Sequence, residues 1–228
     1  MAKINKVFTT QKDGKRIGLF GASGCGKTSK ARGLLKTSRR LIIFDSVKCE
    51  WVINAQKWLG KKPVVVNTTG DFLRVFKKQI TNPQFLIVFR PNFGREVEDL
   101  DAVCKVIFQA QQNYGITHNA TLTLFIEEAQ ESIPSGLARE NPKHASLLLA
   151  RMGRAKGINL VIASQRIKTV DITFRANLNV YYIFRLAELS DIQEANQYVR
   201  DKNSLMSLPN GCYYFIGDAG EKLKGKIF

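Results

Sequence analysis

The sequence predicts an α/β fold: a mostly parallel central sheet flanked by helices on both sides, with a C-terminal antiparallel extension. Three observations carry this. Apolar runs of strand length, such as Leu122 to Ile126 and Ile158 to Ala163, lack the polar alternation of a strand with one wet face. They alternate along the chain with segments whose apolar residues recur at helical spacing. And the 228 residues, 44% hydrophobic and 24% charged, contain no repeat, low-complexity stretch or linker that would divide them, so residues 1–228 are expected to form one domain.

Taken in order, Arg16 to Phe20 reads as a short apolar strand, followed by a glycine-rich turn and a helix from about Thr28 to Lys36. Leu41 to Asp45 and Val64 to Val66 are aliphatic runs of strand length, and Asp71 to Ile80 has Phe72, Leu73, Val75 and Phe76 at helical spacing. Phe85 to Phe89 reads as a strand and Val97 to Gln112 as a helix burying Leu100, Val103, Cys104, Ile107 and Phe108. The strands Leu122 to Ile126 and Ile158 to Ala163 are separated by a polar loop with Pro134 and Pro142 and a helix around Ser146 to Arg154. Val180 to Phe184, a helix near Ala187 to Val199, and the strands Cys212 to Ile216 and Leu223 to Phe228 close the chain; the short Gly-containing loop between the last two suggests the antiparallel extension.

The turn after the first strand carries the first functional signal. Gly21, Ala22, Ser23, Gly24, Cys25, Gly26, Lys27 and Thr28 form a complete GxxxxGK[ST] match, placed between a strand and a helix as that motif requires. Glycines let the backbone curl so that its N–H groups face phosphate oxygens, and the helix N-terminus adds partial positive charge. Lys27 is expected to reach the β and γ phosphates, and Thr28 to hold Mg²⁺ through its hydroxyl. Cys25, beside phosphates and a helix N-terminus, is expected to have a lowered thiol pKa and to be open to alkylation.

Charge points the same way. Thirty-five Lys and Arg against 19 Asp and Glu give +16, and residues 1–90 hold 19 of the basic and 4 of the acidic side chains. A polyanion is the partner such an excess favours: nucleic-acid phosphates first, an anionic membrane surface second, with a merely soluble basic surface as the plain alternative. The clusters Lys12/Lys15/Arg16, Arg39/Arg40, Lys61/Lys62 and Lys77/Lys78 spread this charge between elements, and the two lysine pairs are candidate DNA contacts on charge alone. Cys25, Cys49, Cys104 and Cys212 form no CxxC pair, and His118 and His144 are the only histidines, so neither a zinc site nor a disulfide framework is indicated. No apolar run approaches the roughly 18 residues of a membrane span, and the N-terminus lacks a signal-peptide core; the expected location is a cytosol.

The strand Leu122 to Ile126 runs into Glu127 and Glu128, the position at which a nucleotide-binding site of this kind keeps its acids. The first acid is suited to the Mg²⁺ shell and the second to orienting or deprotonating an attacking water. The strand ending at Ala163 leads into Ser164, Gln165 and Arg166, and Gln165 is placed to hydrogen-bond the γ-phosphate or the water. Arg151 and Arg154 precede that strand, on the rim opposite the phosphate loop, where an arginine reaches a neighbouring subunit's nucleotide more readily than its own.

Together GASGCGKT, LIIFDSVKCEW, LTLFIEEAQ, GRAKGINLVIASQR and NLNVYYIFRL resemble the FtsK/HerA superfamily of nucleic-acid-pumping ATPases over about residues 14–187, and within it the genome-packaging ATPases of tailless phages with an internal membrane, the tectivirus type. The resemblance implies a P-loop NTPase fold of the RecA/ASCE type, with a motor core at about 14–187 and C-terminal strands at about 210–228. It implies ATP and Mg²⁺ as cofactors, and sequence-nonspecific double-stranded DNA as partner. It also implies a ring of like subunits, capsid or vertex proteins as further partners, and residence in the host cytoplasm and at the packaging vertex of the virion. By the same resemblance Lys27 and Thr28 serve nucleotide and metal, Glu127 and Glu128 are the Walker B acids, Gln165 is the sensor and Arg154 the trans finger. Glu127 stands where Asp is usual, Ile167 where Pro often follows the Gln-Arg pair, and the roles of Asp45 and Glu50, which resemble a second-strand acidic motif, are left open. Three rivals stay in view: a cellular or plasmid DNA-transfer ATPase of the same superfamily, a small-molecule P-loop kinase, and a nucleotide-gated structural protein.

Overall fold

The computed structural model describes residues 14–48, 50–115 and 120–227. Lys12, Cys49, His118 and Phe228, all singled out above, lie outside the described residues.

Among the described residues nine strands form one sheet. They are β1 (Arg16–Phe20), β2 (Arg40–Asp45), β3 (Val64–Val66), β4 (Phe85–Phe89), β5 (Leu122–Glu127), β6 (Ile158–Ser164), β7 (Val180–Ile183), β8 (Cys212–Ile216) and β9 (Lys222–Lys226), in the spatial order β3-β4-β2-β5-β6-β1-β7-β8-β9. The first seven pair parallel; β8 and β9 add antiparallel to β7, as the short final loop suggested. Every residue of β2, β4 and β5 is buried, which is why these segments read as unbroken apolar runs. Alternate residues serve opposite faces: Leu41 and Ile43 pack with α1 (Lys27–Leu35) and α2 (Trp51–Leu59), Ile42 and Phe44 with the far side. That far side is covered by α3 (Thr69–Gln79), α4 (Glu96–Ala110), α7 (Ala145–Met152) and α9 (Leu189–Val199), which contribute Phe72, Leu100, Leu149 and Ile192 to its core.

Sequence periodicity places the long elements to within a few residues. The helix expected over Ser146 to Arg154 closes at Met152 and tightens into a 3₁₀ turn (Gly153–Lys156), and the one expected to end at Gln112 passes into a π-helical turn at Gln111–Gly115. Five helices were not read from sequence: α2, α5 (Ala129–Ser132), α6 (Leu137–Glu140), α8 (Ile172–Arg175) and α10 (Lys202–Ser207). Four of them are too short for a periodic signal, and two of these are marked by side-chain caps: the Asp171 carboxylate accepts the Thr173 and Phe174 N–H groups at the start of α8, and that of Asp201 accepts the Ser204 N–H at the start of α10. Among the described residues no helix is long and apolar enough to cross a membrane.

Several of the basic residues serve the fold. Arg40, buried, donates through Nη1 to the carbonyls of Ala120 and Thr121 at 3.1 and 3.3 Å and through Nη2 to that of Ile80 at 3.1 Å. Lys61, offered above as a DNA contact, is buried instead: its Nζ donates to the Ser38 carbonyl at 2.7 Å, and burial pulls its pKa down. An ammonium tied to a backbone carbonyl under the surface is not available to a phosphate chain, so that expectation is corrected. Lys62, Lys77 and Lys78 are exposed.

Candidate nucleotide site

Parallel pairing brings the C-terminal ends of β2, β5, β6, β1 and β7 side by side; β5, β6 and β1 each end in a predicted site residue or run directly into one, and β2 ends in Asp45, whose role the sequence left open. Between β1 and α1 the eight-residue loop curls back on the sheet. Its first N–H, of Gly21, donates to the Ser164 carbonyl at 3.2 Å, and the Ala22 N–H donates to that of Arg185 at 2.8 Å, so the ends of β6 and β7 hold the loop's entry. Gly21 and Gly26 have φ of 158° and 112°; a Cβ on Gly21 would lie 2.6 Å from the Phe184 Cβ, and one on Gly26 2.8 Å from the Ile227 side chain. Only glycine satisfies both the dihedral and the space. The Gly211 N–H donates to the Cys25 carbonyl at 2.9 Å, so the C-terminal strand pair braces the loop's outer side.

Inside the curl the Lys27 ammonium donates to the carbonyls of Gly21 at 2.6 Å and Ala22 at 3.1 Å. The side chain is buried, and the first-turn N–H groups of α1, with no side-chain cap at Gly26, have no helical acceptor. Such a cradle suits a polyphosphate. Cys25 departs from expectation. Its thiol is 1% exposed beneath the loop, and burial pushes its pKa up, with the nearby Lys27 and Arg185 charges pulling the other way. The lowered pKa and ready alkylation inferred from the motif alone are therefore corrected: desolvation outweighs the cations.

Across the same edge, Glu127 is the last residue of β5 and lies opposite Asp45 of β2 in the ladder. The Trp51 indole N–H donates to Glu127 Oε2, and Arg90 Nε donates to Asp45 Oδ2 at 3.0 Å. Neither partner was read from sequence. Trp51 closes the KCEW segment, but the helix it opens, α2, gave no legible start. Glu50, by contrast, points outward and pairs with Arg32 at 3.2 Å. The Thr28 hydroxyl and Glu127 carboxylate are hard oxygen donors of the kind a hydrated Mg²⁺ takes.

Glu128 follows with φ of 45°, a left-handed conformation uncommon for a side chain of its kind. Gln165 Nε2 donates to its Oε1 at 2.9 Å, and Gln130 Nε2 to its Oε2 at 2.9 Å. The acid and the sensor glutamine named from sequence are thus in direct contact. Arg166 is held away from them, its Nε donating to Asp191 at 2.9 Å.

Arg151 and Arg154 sit at the other end of β6, exposed, in α7 and in the 3₁₀ turn after it. The seven residues of β6 put roughly 20 Å between the two ends. The structure brings Gly21 to Thr28, Glu127, Glu128 and Gln165 together, and leaves Arg151 and Arg154 on the far edge.

No protein-family model matches the sequence, and no curated protein does. Solved structures do match in fold. The genome-packaging NTPase B204 of Sulfolobus turreted icosahedral virus 2, in complex with ATPγS, superposes with a TM-score of 0.70 at 14% identity, covering 94% of this chain and 97% of that one. The B204 DNA-packaging ATPase of Sulfolobus turreted icosahedral virus gives 0.67 at 16% identity over 94% and 97%. VirB4 of Thermoanaerobacter pseudethanolicus gives 0.59 at 13% identity over 93% and 89%. The fold is that of the P-loop NTPases.

Proposed function

We propose that this chain is a Mg²⁺-dependent ATPase that moves double-stranded DNA, acting as a ring of like subunits and serving to package a viral genome into a preformed capsid. The observation that carries the reading is the contact between Glu128 and Gln165 on the edge that also presents the phosphate loop, with Arg154 exposed on the edge opposite. The first arrangement suits hydrolysis; the second suits a subunit that completes its neighbour's site.

In this reading the loop N–H groups and Lys27 bind the polyphosphate, and Thr28 and Glu127 hold the metal. Bound Mg²⁺ supplies neutralisation of charge on the phosphate oxygens. Trp51 keeps the Glu127 carboxylate turned toward the site. Glu128 orients the attacking water and accepts its proton, while Gln165, already on Glu128, is within one residue of the strand end that holds the phosphate loop and so registers the state of the γ-phosphate. Arg154 of a neighbouring copy, with Arg151 beside it, stabilises the charge that develops, a contribution of roughly 10³ to 10⁵ in rate. The exposed Lys62, Lys77 and Lys78 are available for DNA phosphates, contacts that position without reading sequence.

The likeness to the two viral packaging proteins supports packaging. The likeness to VirB4 supports a second reading, a DNA-transfer ATPase of the same chemistry. The experiment is steady-state ATP hydrolysis with Mg²⁺, with and without long duplex DNA, over protein concentrations that span assembly, for the native chain and Glu128→Gln. Turnover that DNA stimulates, that rises cooperatively with concentration and that falls at least a hundredfold in the variant is expected. Turnover indifferent to both DNA and concentration would reject the motor, and a phosphorylated small-molecule acceptor would identify a kinase.

A further inference from the structure

We propose that Gln130 is a positioning residue for hydrolysis: backed by Ser164, it holds the second oxygen of the Glu128 carboxylate. The inference rests on the role proposed above for Glu128. Gln130 lies two residues beyond that acid, on the single turn of α5, and makes two hydrogen bonds in opposite senses. Its Nε2 donates to Glu128 Oε2 at 2.9 Å, and its Oε1 accepts from the Ser164 hydroxyl at 2.6 Å. The chemistry fixes which end is which. A carboxylate only accepts, so the amide NH₂ must face Glu128, and the carbonyl oxygen is left for a donor. Ser164 is the hydroxyl that faces it: fully buried at the end of β6, it has Gln130 Oε1 at 2.6 Å and the Arg166 carbonyl at 2.8 Å as acceptors for its one proton, and its oxygen receives the Arg166 N–H at 3.2 Å.

Glu128 is therefore gripped at both oxygens from one strand end. Gln165 donates directly to Oε1, and Ser164, the residue before it, reaches Oε2 through Gln130. Two donors on a carboxylate stop rotation about its last side-chain bond. A base that must meet a water in line with a phosphorus gains from that restraint, since a small misplacement of a catalytic group costs rate without costing substrate affinity. Because Glu128 also takes a left-handed backbone conformation, its side chain leaves the strand in a direction that ordinary strand geometry would not supply, and the two amides meet it there. A packing role alone needs neither the amide nor the hydroxyl.

The test compares the native chain with Gln130→Ala, Gln130→Met, Ser164→Ala and the double variant Gln130→Ala/Ser164→Ala. Met fills the volume of Gln without its donor or acceptor. Turnover is measured at saturating Mg-ATP, nucleotide affinity by titration with ATPγS, and folding by thermal unfolding of each variant. Both Gln130 substitutions are expected to lower kcat about 10- to 100-fold with the ATPγS Kd within twofold of native. The double variant is expected to be no slower than Gln130→Ala, because the two residues act through one chain of bonds. Near-native turnover by Gln130→Met would reduce Gln130 to a space-filler and overturn the proposal; so would losses that multiply in the double variant, or a loss of affinity equal to the loss of rate. A native chain without Mg-ATP turnover would instead remove the proposed function, and this inference with it.

Discussion

The two edges of the sheet treat charge in opposite ways. On the C-terminal edge the ionisable groups of the site are held by partners inside the chain: Glu128 by Gln165 and Gln130, Asp45 by Arg90, Glu127 by Trp51, Lys27 by two loop carbonyls. On the N-terminal edge the cations divide. Arg40 and Lys61 turn inward to backbone carbonyls, and Arg16 donates to the Ala150 carbonyl at 3.0 Å, whereas Arg151 and Arg154 remain exposed beside them. A preorganised site has its groups fixed before substrate arrives. The exposed arginines of the opposite edge are the ones that the proposed function assigns to a neighbouring subunit's site.

The sharpest way to break this contrast is Arg154→Ala. If the arginine acts on a neighbour, turnover falls by about 10³, and mixing Arg154→Ala with Glu128→Gln subunits restores part of it, because some interfaces then combine an intact acid with an intact finger. Arg151→Ala is the companion: a smaller loss there assigns the finger to Arg154. A mixture as inactive as its components would place the arginine's role within its own subunit.

Arg40→Met asks whether the buried cations of the same edge are structural. Removing the guanidinium strips the carbonyls of Ala120, Thr121 and Ile80 of a charged donor, and a loss of about 2–3 kcal/mol in unfolding free energy is expected. The salt dependence of DNA binding should not move. A changed salt slope would make Arg40 a phosphate contact and erase the division.

Trp51→Phe keeps the ring packed against Trp58 and Phe125 but deletes the donor to Glu127. The Mg²⁺ concentration for half-maximal ATPase should rise about tenfold, the scale of losing an outer-shell partner, with stability nearly native. An unchanged Mg²⁺ requirement would detach Glu127 from the metal.

The smallest expected effect concerns the brace on the phosphate loop. Lys30 of α1 lies 4.5 Å from the ring centroids of both Tyr182 and Tyr213, donates to the Tyr213 hydroxyl at 2.9 Å, and is lowered by burial to about 8. The unfolded chain keeps this proton until about pH 10.4, so between pH 8 and that value it binds more protons than the folded chain, and stability rises with pH. Relative to Lys30→Met, the native chain should gain on the order of 1 kcal/mol between pH 8 and 9.5, a value reduced for the partial exposure of the ammonium and for the two rings that favour its charged form. Above that window the buried Tyr181 and Tyr182, whose pKa values burial pushes up, pull stability back down. A difference between native and variant that stays flat from pH 8 to 9.5 would show the ammonium charged throughout.

How far all this could be read in advance depended on whether the signal was local. The phosphate loop is one contiguous segment whose chemistry lies in its backbone, so Gly21 to Thr28 could be named from their order alone. Strands buried on both faces announce themselves as unbroken apolar runs, and Glu127, Glu128 and Gln165 are legible because each lies where such a run stops. The same local reasoning failed at Cys25 and Lys61. A thiol next to Lys27 looks activated in sequence, and a lysine in a Lys-Lys pair looks exposed; burial decides both, and burial is set by elements distant in the chain, such as Phe184 above the loop and Ser38 before β2.

Motif, period and charge were sufficient for the architecture and for naming candidate site residues at the strand ends, because strand length, helical spacing and a glycine-rich turn are properties of neighbouring residues. Tertiary structure alone decided which side chains hold the acids. Trp51 meets Glu127 across 76 positions, Gln165 meets Glu128 across 37, and Ser164 meets Gln130 across 34. These pairs exist because β5 and β6 lie in register and α2 returns against the sheet, and no local pattern encodes a hydrogen bond that only strand pairing and helix packing create.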